Sequence, residues 1–309
     1  MKSAVLGLAR RMGYEIKRIA PEPSGPTDAE IANAERLERY ERRISELELL
    51  VGRVDRELNT ARLELEQSNT MRDIHKRDSM EIEDLLRLTD LPTLPQRKGR
   101  EDQLSQLIGT TVSEGLYLVD ALHKSLSVPG AICEFGVAQG ATSRLIAAEI
   151  FDSGRDFWLF DSFEGLPKPA PEDRMIDDIF GLGDMAAYAG TMRSPEEEVR
   201  LKLDTLGFPR ERTHVRKGWI NETIAAGDVP RQVAFAYVDF DFYEPIRDAL
   251  AYLDTVTEPG AHVVVDDYGF FSEGSQLATD QFIEASQGRW VLSKPLPLAG
   301  HFVTLKKTG

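Results

Sequence analysis

Two pairs of aspartates, Asp239 with Asp241 and Asp266 with Asp267, close the apolar runs FAYVDFDFYEP and AHVVVDDYG. If these runs are neighbouring strands of a parallel sheet, their C-terminal ends open into one crevice. Carboxylates gathered there repel one another unless a cation lies among them. Hard oxygen ligands, with no cysteine or histidine cluster beside them, suit Mg²⁺, Mn²⁺ or Ca²⁺ better than Zn²⁺. The plainer alternative is that these acids cap the helices that follow; an Asp-Asp pair facing another Asp at the next strand tip favours the metal.

An earlier run, AICEFGVAQGATSRLIAAEI, ends a strand at Glu134 and turns into a helix through Gly136 and Gly140, the helix opening near Thr142. Glycines at such a turn adopt positive φ and let a ligand approach the backbone. Any tight strand-to-helix turn can use two glycines, but the spacing here, E-x-G-x-x-x-G, departs from the G-x-G-x-x-G of dinucleotide sites. That fingerprint aims a helix N-terminus at a pyrophosphate. Its missing third glycine argues against a nucleotide-dependent oxidoreductase, whereas adenosylmethionine, which has no phosphate, suits a looser bend. The next apolar run, FWLFDSFEGLP, ends at Asp161, 21 residues after Gly140. A carboxylate at the second strand tip is where a ribose is gripped in such sheets. A lone Asp there is often a helix cap; the joint spacing favours the ribose.

These residues need an α/β sheet to hold them. Apolar runs near 131–135, 157–161, 213–216, 234–239 and 261–266 alternate with helical stretches, which predicts parallel strands with helices on both faces. Runs near 289–293 and 301–306 are expected to close the sheet as an antiparallel pair. Residues 163–195, rich in Pro, Gly and Asp, read as a lid over the crevice. Of the histidines, only His301 is placed to reach the crevice mouth.

Ahead of this lies a different pattern. From Asp28 to about Asp90 there is no Pro, and Gly52 is the sole Gly. Leu37, Ile44, Val51, Leu58 and Leu65 recur every seven residues, with Tyr40, Leu47, Val54 and Ala61 three later. That seam predicts a coiled coil and hence a homo-oligomer; Ile and Val mixed with Leu do not settle how many strands. LPTLP at 91–95 reads as the stop and the linker. Residues 1–20 carry Lys2, Arg10, Arg11, Lys17 and Arg18 against Glu15 alone, on a helix that packs on its neighbours or touches an anionic membrane surface. The expected parts are 1–27, a basic segment and linker; 28–92, the coiled coil; and 100–309, the catalytic domain.

Composition bounds the rest. The 309 residues carry a formal net charge of −15, which argues against a nucleic-acid partner. The single cysteine, Cys133, excludes an intrachain disulfide and reads as a core residue of a protein in a reducing cytoplasm, extending to the inner membrane face if the basic segment anchors there.

Taken together, EFGVAQGATS, DSFEGLP, KGWINETI at 217–224, VDFDFYEP and VVVDDYG resemble the macrocin O-methyltransferase family, which includes the mycinamicin and novobiocin sugar methyltransferases. The resemblance covers residues 105–306 and leaves the coil outside. It implies an α/β, Rossmann-like class I methyltransferase sheet, mostly parallel with an antiparallel last strand. It also implies adenosylmethionine as methyl donor and a divalent metal, Mg²⁺ or Mn²⁺/Ca²⁺, that binds vicinal sugar hydroxyls. Carried over by motif, Glu134, Gly136, Gly140, Thr142 and Ser143 line the donor's methionine end. Asp161 and Ser162 then hold the ribose, and Gly218 and Trp219 sit by the adenine. Asp239, Asp266 and Asp267 match the metal ligands, with Asp239 as the base.

In one place the chain departs from the family: Phe240 stands where its Asp-Gly-Asp has glycine. Phe240 and the coil tilt the acceptor toward a cell-surface polysaccharide rather than a glycosylated metabolite. The competing reading is an assembly protein, its coil organising glycan synthesis around an inactive domain.

Overall fold

The computed structural model describes residues 28–309. The basic helix expected at 1–20, and the membrane contact drawn from it, lie outside the described residues. No helix among those residues is long and apolar enough to cross a membrane.

Helix α1 (Asp28–Thr89) runs through the segment that lacks proline. The chain divides into two compact units, Met1–Ser68 and Asn69–Gly309. In the first, every side chain described from Glu35 onward is exposed, including the heptad residues Leu37, Tyr40, Ile44, Leu47, Val51, Val54, Leu58 and Leu65.

In the second unit the last turns of α1 bury Ser79 and Leu86, and Leu91 and Leu94 enter the same core. The stretch expected as a linker at 91–95 is thus packed, because its two leucines complete an apolar cluster instead of facing water. Helix α2 (Arg100–Leu104) opens with a fully buried guanidinium. Arg100 donates to both oxygens of Glu149 (2.7 and 3.0 Å), to Glu83 on α1 (2.7 Å) and to the Pro95 carbonyl (2.8 Å). Removing one partner of such a buried pair costs about 3–5 kcal/mol.

The remaining elements are α3 (Val112–Ser125), β1 (Ala131–Phe135), α4 (Ala141–Glu149), β2 (Phe157–Asp161), α5 (Glu196–Leu206), β3 (Thr213–Lys217), α6 (Ile220–Ala226) and β4 (Val233–Val238). Then follow α7 (Tyr243–Val256), β5 (Thr257–Val265), α8 (Glu273–Ala285), β6 (Trp290–Ser293) and β7 (Val303–Lys307). The sheet order is β3-β2-β1-β4-β5-β7-β6. Strands β1 to β5 pair in parallel, and β7 is antiparallel to both β5 and β6. This is the expected α/β sheet, mostly parallel with an antiparallel last strand.

A parallel sheet is covered on both faces, so its strands are continuous apolar runs. In β4, Phe235 and Tyr237 pack into one cluster with Leu118, Leu122 and Ile146, while Ala236 and Val238 pack into another with Ile246 and Leu250. Each large apolar side chain buried this way contributes roughly 1.5–3 kcal/mol. Cys133 is buried on β1, as expected of a core residue.

Candidate active site

The tips of β1, β2 and β4 meet at Gly136. Its backbone has φ +87°, and a Cβ there would lie 1.7 Å from the Asp239 carbonyl oxygen. Only glycine permits so close an approach of the β1 tip to the β4 tip. At Gly140 (φ +76°) a Cβ would press on the Val199 side chain of α5 at 3.2 Å. Behind this bend Glu134 is fully buried and accepts from Thr142 Oγ1 at 2.5 Å. Burial raises its carboxyl to about 8. Glu134 Oε2 and Ser143 Oγ are buried with no hydrogen-bond partner.

Asp161, at the end of β2, ties two bends together. Its Oδ2 accepts from the amides of Val137 (2.7 Å) and Ala138 (2.9 Å), and its Oδ1 from Phe163 (2.6 Å). Of about four lone-pair sites on a carboxylate, one is left for a ligand hydroxyl.

Beyond the bends opens a cavity of about 640 Å³, within the usual range for small-molecule sites. Of the residues expected to hold a donor, Gly136, Asp161, Ser162, Gly218 and Trp219 line it. Glu134, Gly140, Thr142 and Ser143 do not; they support the bend from behind. The lid segment supplies one wall through Leu166, Ile179, Phe180 and Arg193. It has its own small core of Leu166, Met185, Tyr188, Phe242 and Phe271, and Asp173 moors it by accepting from the Tyr243 amide at 2.7 Å. His301 stacks on Phe270, a lining residue, with ring centroids 4.8 Å apart.

Asp239, Asp241, Asp266 and Asp267 all line the cavity. The expected ligand trio of Asp239, Asp266 and Asp267 is not the one that converges. Asp239, Asp241 and Asp267 place carboxylate oxygens within 4.8 Å of one another. Asp266, though it lines the cavity, is buried and already engaged: it accepts from the Tyr237 hydroxyl, and its Oδ1 from the Asp267 amide at 2.8 Å. Asp241 (φ +62°) and Asp267 (φ +55°) lie past the ends of β4 and β5 in the left-handed region, and that turn of the backbone brings their carboxylates to Asp239.

Burial and mutual repulsion push the Asp239 and Asp267 carboxyls well above the ordinary range, and Asp241 up to about 7. Oxygens on opposite sides of an ion bound at roughly 2.0–2.4 Å lie roughly 4–4.8 Å apart, so the three fit a hard divalent cation.

Two contributors gave no signal in the sequence. Ile108, Gly109 and Thr110 line the cavity from the turn before α3. Glu114 opens that helix in a reciprocal cap, its amide donating to Thr111 Oγ1 at 3.1 Å. It is buried against Asp266, and burial first, then the charge of Asp266, raises it to about 12.

Residues 107–293, spanning these bends and acids, match the model of the macrocin O-methyltransferase (TylF) family. The chain belongs to that family. The macrocin O-methyltransferase fold and activity class follow: the protein is an O-methyltransferase that draws on adenosylmethionine. Among its relatives is the 8-demethyl-8-(2,3-dimethoxy-α-L-rhamnosyl)-tetracenomycin-C 4′-O-methyltransferase of Streptomyces olivaceus. It is 28% identical over 200 residues, covering 64% of this chain and 68% of that one. The mycinamicin III 3″-O-methyltransferase of Micromonospora griseorubida is 28% identical over 148 residues, covering 46% of this chain and 56% of the relative. The structure of the O-methyltransferase NovP superposes with a TM-score of 0.56 at 22% identity, over 75% of this chain and all of that one, a likeness of fold.

Proposed function

We propose that this macrocin O-methyltransferase relative methylates a sugar hydroxyl, on a cell-surface polysaccharide or a glycosylated metabolite, in a reaction that depends on a divalent cation. The observation that carries the reading is the convergence of Asp239, Asp241 and Asp267 within 4.8 Å, in the same cavity as the Gly136 and Gly218 bends. The donor then lies over Gly136 with its ribose at Asp161 and Ser162 and its adenine by Gly218 and Trp219. Relatives named for rhamnosyl and mycinamicin substrates support a sugar acceptor.

Asp239, Asp241 and Asp267 would hold the cation. A bound divalent ion lowers the pKa of a coordinated hydroxyl and neutralises the acids around it. Asp239 is the group placed to take the acceptor's proton, since it joins the carboxylate cluster to the β4 tip beside Gly136. The sulfonium donor is already activated, so the chain's main task is alignment, worth up to about 7–11 kcal/mol when a near-attack geometry is held. Leu166, Ile179 and Phe180 wall the cavity and exclude water from the transfer. Phe240, also lining it, packs edge-on to Phe135 (6.2 Å) and narrows the acceptor side.

Residues 28–68 of α1 join copies of the chain. The exposed heptad stripe supports this, because a lone helix would leave it in water. Positions flanking the stripe also carry opposite charges five residues apart in sequence, as at Glu57 and Arg62.

The test incubates the full chain with adenosylmethionine, Mg²⁺ and a panel of glycans, followed by mass spectrometry. Gain of one CH₂ by a glycan, lost in Asp239→Asn, is the expected result. Methylation that persists in Asp239→Asn, or in excess chelator, sinks the reading.

A further inference from the structure

The cavity lining carries five carboxylates, from Asp161, Asp239, Asp241, Asp266 and Asp267, and a single basic side chain, Arg193. Within the same unit Arg100, Arg155, Arg212 and Arg289 each donate to carboxylates or carbonyls. Among the described residues Arg193 makes neither a hydrogen bond nor an ion pair. Were its task to neutralise the aspartates it would bridge one of them, since such pairing is favourable in a partly desolvated site. Its exposed side chain bridges none of them.

The chain fixes the backbone that leads into Arg193. The Gly190 amide donates to the Leu166 carbonyl (2.8 Å) and the Leu166 amide to the Thr191 carbonyl (2.9 Å). Thr191 Oγ1 also donates to the Tyr188 carbonyl at 2.7 Å. Met192 then adopts φ +59°, rare for an unbranched apolar residue, and the backbone turns so that Met192, Arg193 and Ser194 all line the cavity. Six residues on, Val199 packs against Gly140. Arg193 therefore enters the cavity wall six residues ahead of the Val199 contact on the glycine bend.

We propose that Arg193 is the anion-binding residue of the cavity, pairing its guanidinium with a carboxylate or phosphate oxygen that a ligand brings in. This rests on the reading that the cavity takes adenosylmethionine, whose α-carboxylate would otherwise meet no cationic side chain among the lining residues. A phosphorylated or nucleotide-linked sugar acceptor would bring the same chemistry from the other side. Guanidinium offers a planar, two-pronged donor suited to either anion.

Calorimetry on the full chain and on Arg193→Gln separates the sources with two ligand pairs. S-adenosylhomocysteine is compared with 5′-methylthioadenosine, which lacks the amino-acid carboxylate, and thymidine diphosphate with thymidine. The expected result is a loss of roughly tenfold or more for one charged ligand in the variant, with its uncharged counterpart unchanged. A loss confined to S-adenosylhomocysteine assigns the donor carboxylate, and one confined to thymidine diphosphate assigns an acceptor anion. Unchanged affinity for both charged ligands, or equal losses for charged and uncharged members, overturns the proposal. Failure of the unaltered chain to bind either adenosyl compound would instead overturn the donor reading on which it rests.

Discussion

Asp241 and Asp267 both stand in the left-handed region, at φ 62° and 55°, and their carboxylates meet in one cluster with Asp239. Two strand ends fold back in an uncommon conformation so that acids from β4 and β5 converge. Asp241→Ala and Asp267→Ala are each expected to weaken Mn²⁺ binding at least tenfold and to lower turnover by roughly 10²–10³. Asp266→Asn is expected to do less to Mn²⁺ affinity, because its carboxylate serves Tyr237 and the Asp267 amide. Calorimetric Mn²⁺ titration of the three variants checks the ranking, which fails if Asp266→Asn is the weakest binder.

The buried Glu134 makes stability depend on pH. Its carboxyl titrates at about 8 in the folded chain against 4.5 ordinarily. The folded state thus holds a proton that the unfolded state has already released, and the stability this confers is complete below about 4.5 and is lost as pH rises toward about 8. Glu134→Gln, which cannot ionise, is expected to match the parent near pH 4 and to melt higher above pH 7, in chelator. Melting curves that run parallel at every pH would contradict this.

At Gly136 a methyl group would meet the Asp239 carbonyl oxygen, and the backbone is already at positive φ. Gly136→Ala is expected to cost about 3 kcal/mol or more, read from urea unfolding, and to abolish methyl transfer. Gly154→Ala, where φ is also positive but nothing lies within 4 Å, should cost only about 1 kcal/mol.

Deleting residues 1–68 is expected to leave a folded, active monomer, measured by light scattering and methyl transfer. Deleting residues 1–92 removes Glu83, Leu86 and Leu91, which pair with Arg100 and fill the core, so that shorter chain should be insoluble or unfolded. Equal behaviour of the two truncations would show that the end of α1 does not matter to the fold.

Much of this was legible in local pattern. The seven strands, the glycine bend and the acid at each strand tip follow from apolar runs and turn residues, which depend on near neighbours in sequence. The expected trio names Asp266 where the converging one has Asp241, because the left-handed turns at Asp241 and Asp267 that aim their carboxylates leave no mark in the local pattern. Glu114 was invisible: its burial depends on Asp266, far along the chain, and an acid three residues after Thr111 reads only as a helix cap. Leu91 and Leu94 looked like punctuation between prolines, since nothing local reveals that a distant core has room for them.

Asp161 accepts from Val137, Ala138 and Phe163, amides that belong to two separate bends. On the proposed reading, the end of the cavity that takes the ribose is thereby set before any ligand arrives, so little conformational entropy remains to be lost there on binding. Donor and spent donor should accordingly enter and leave a ready-made seat, each fitting about as well as the other. Discrimination between substrate and product would then fall to the acid-lined side, where the proposed cation and sugar must still be brought together.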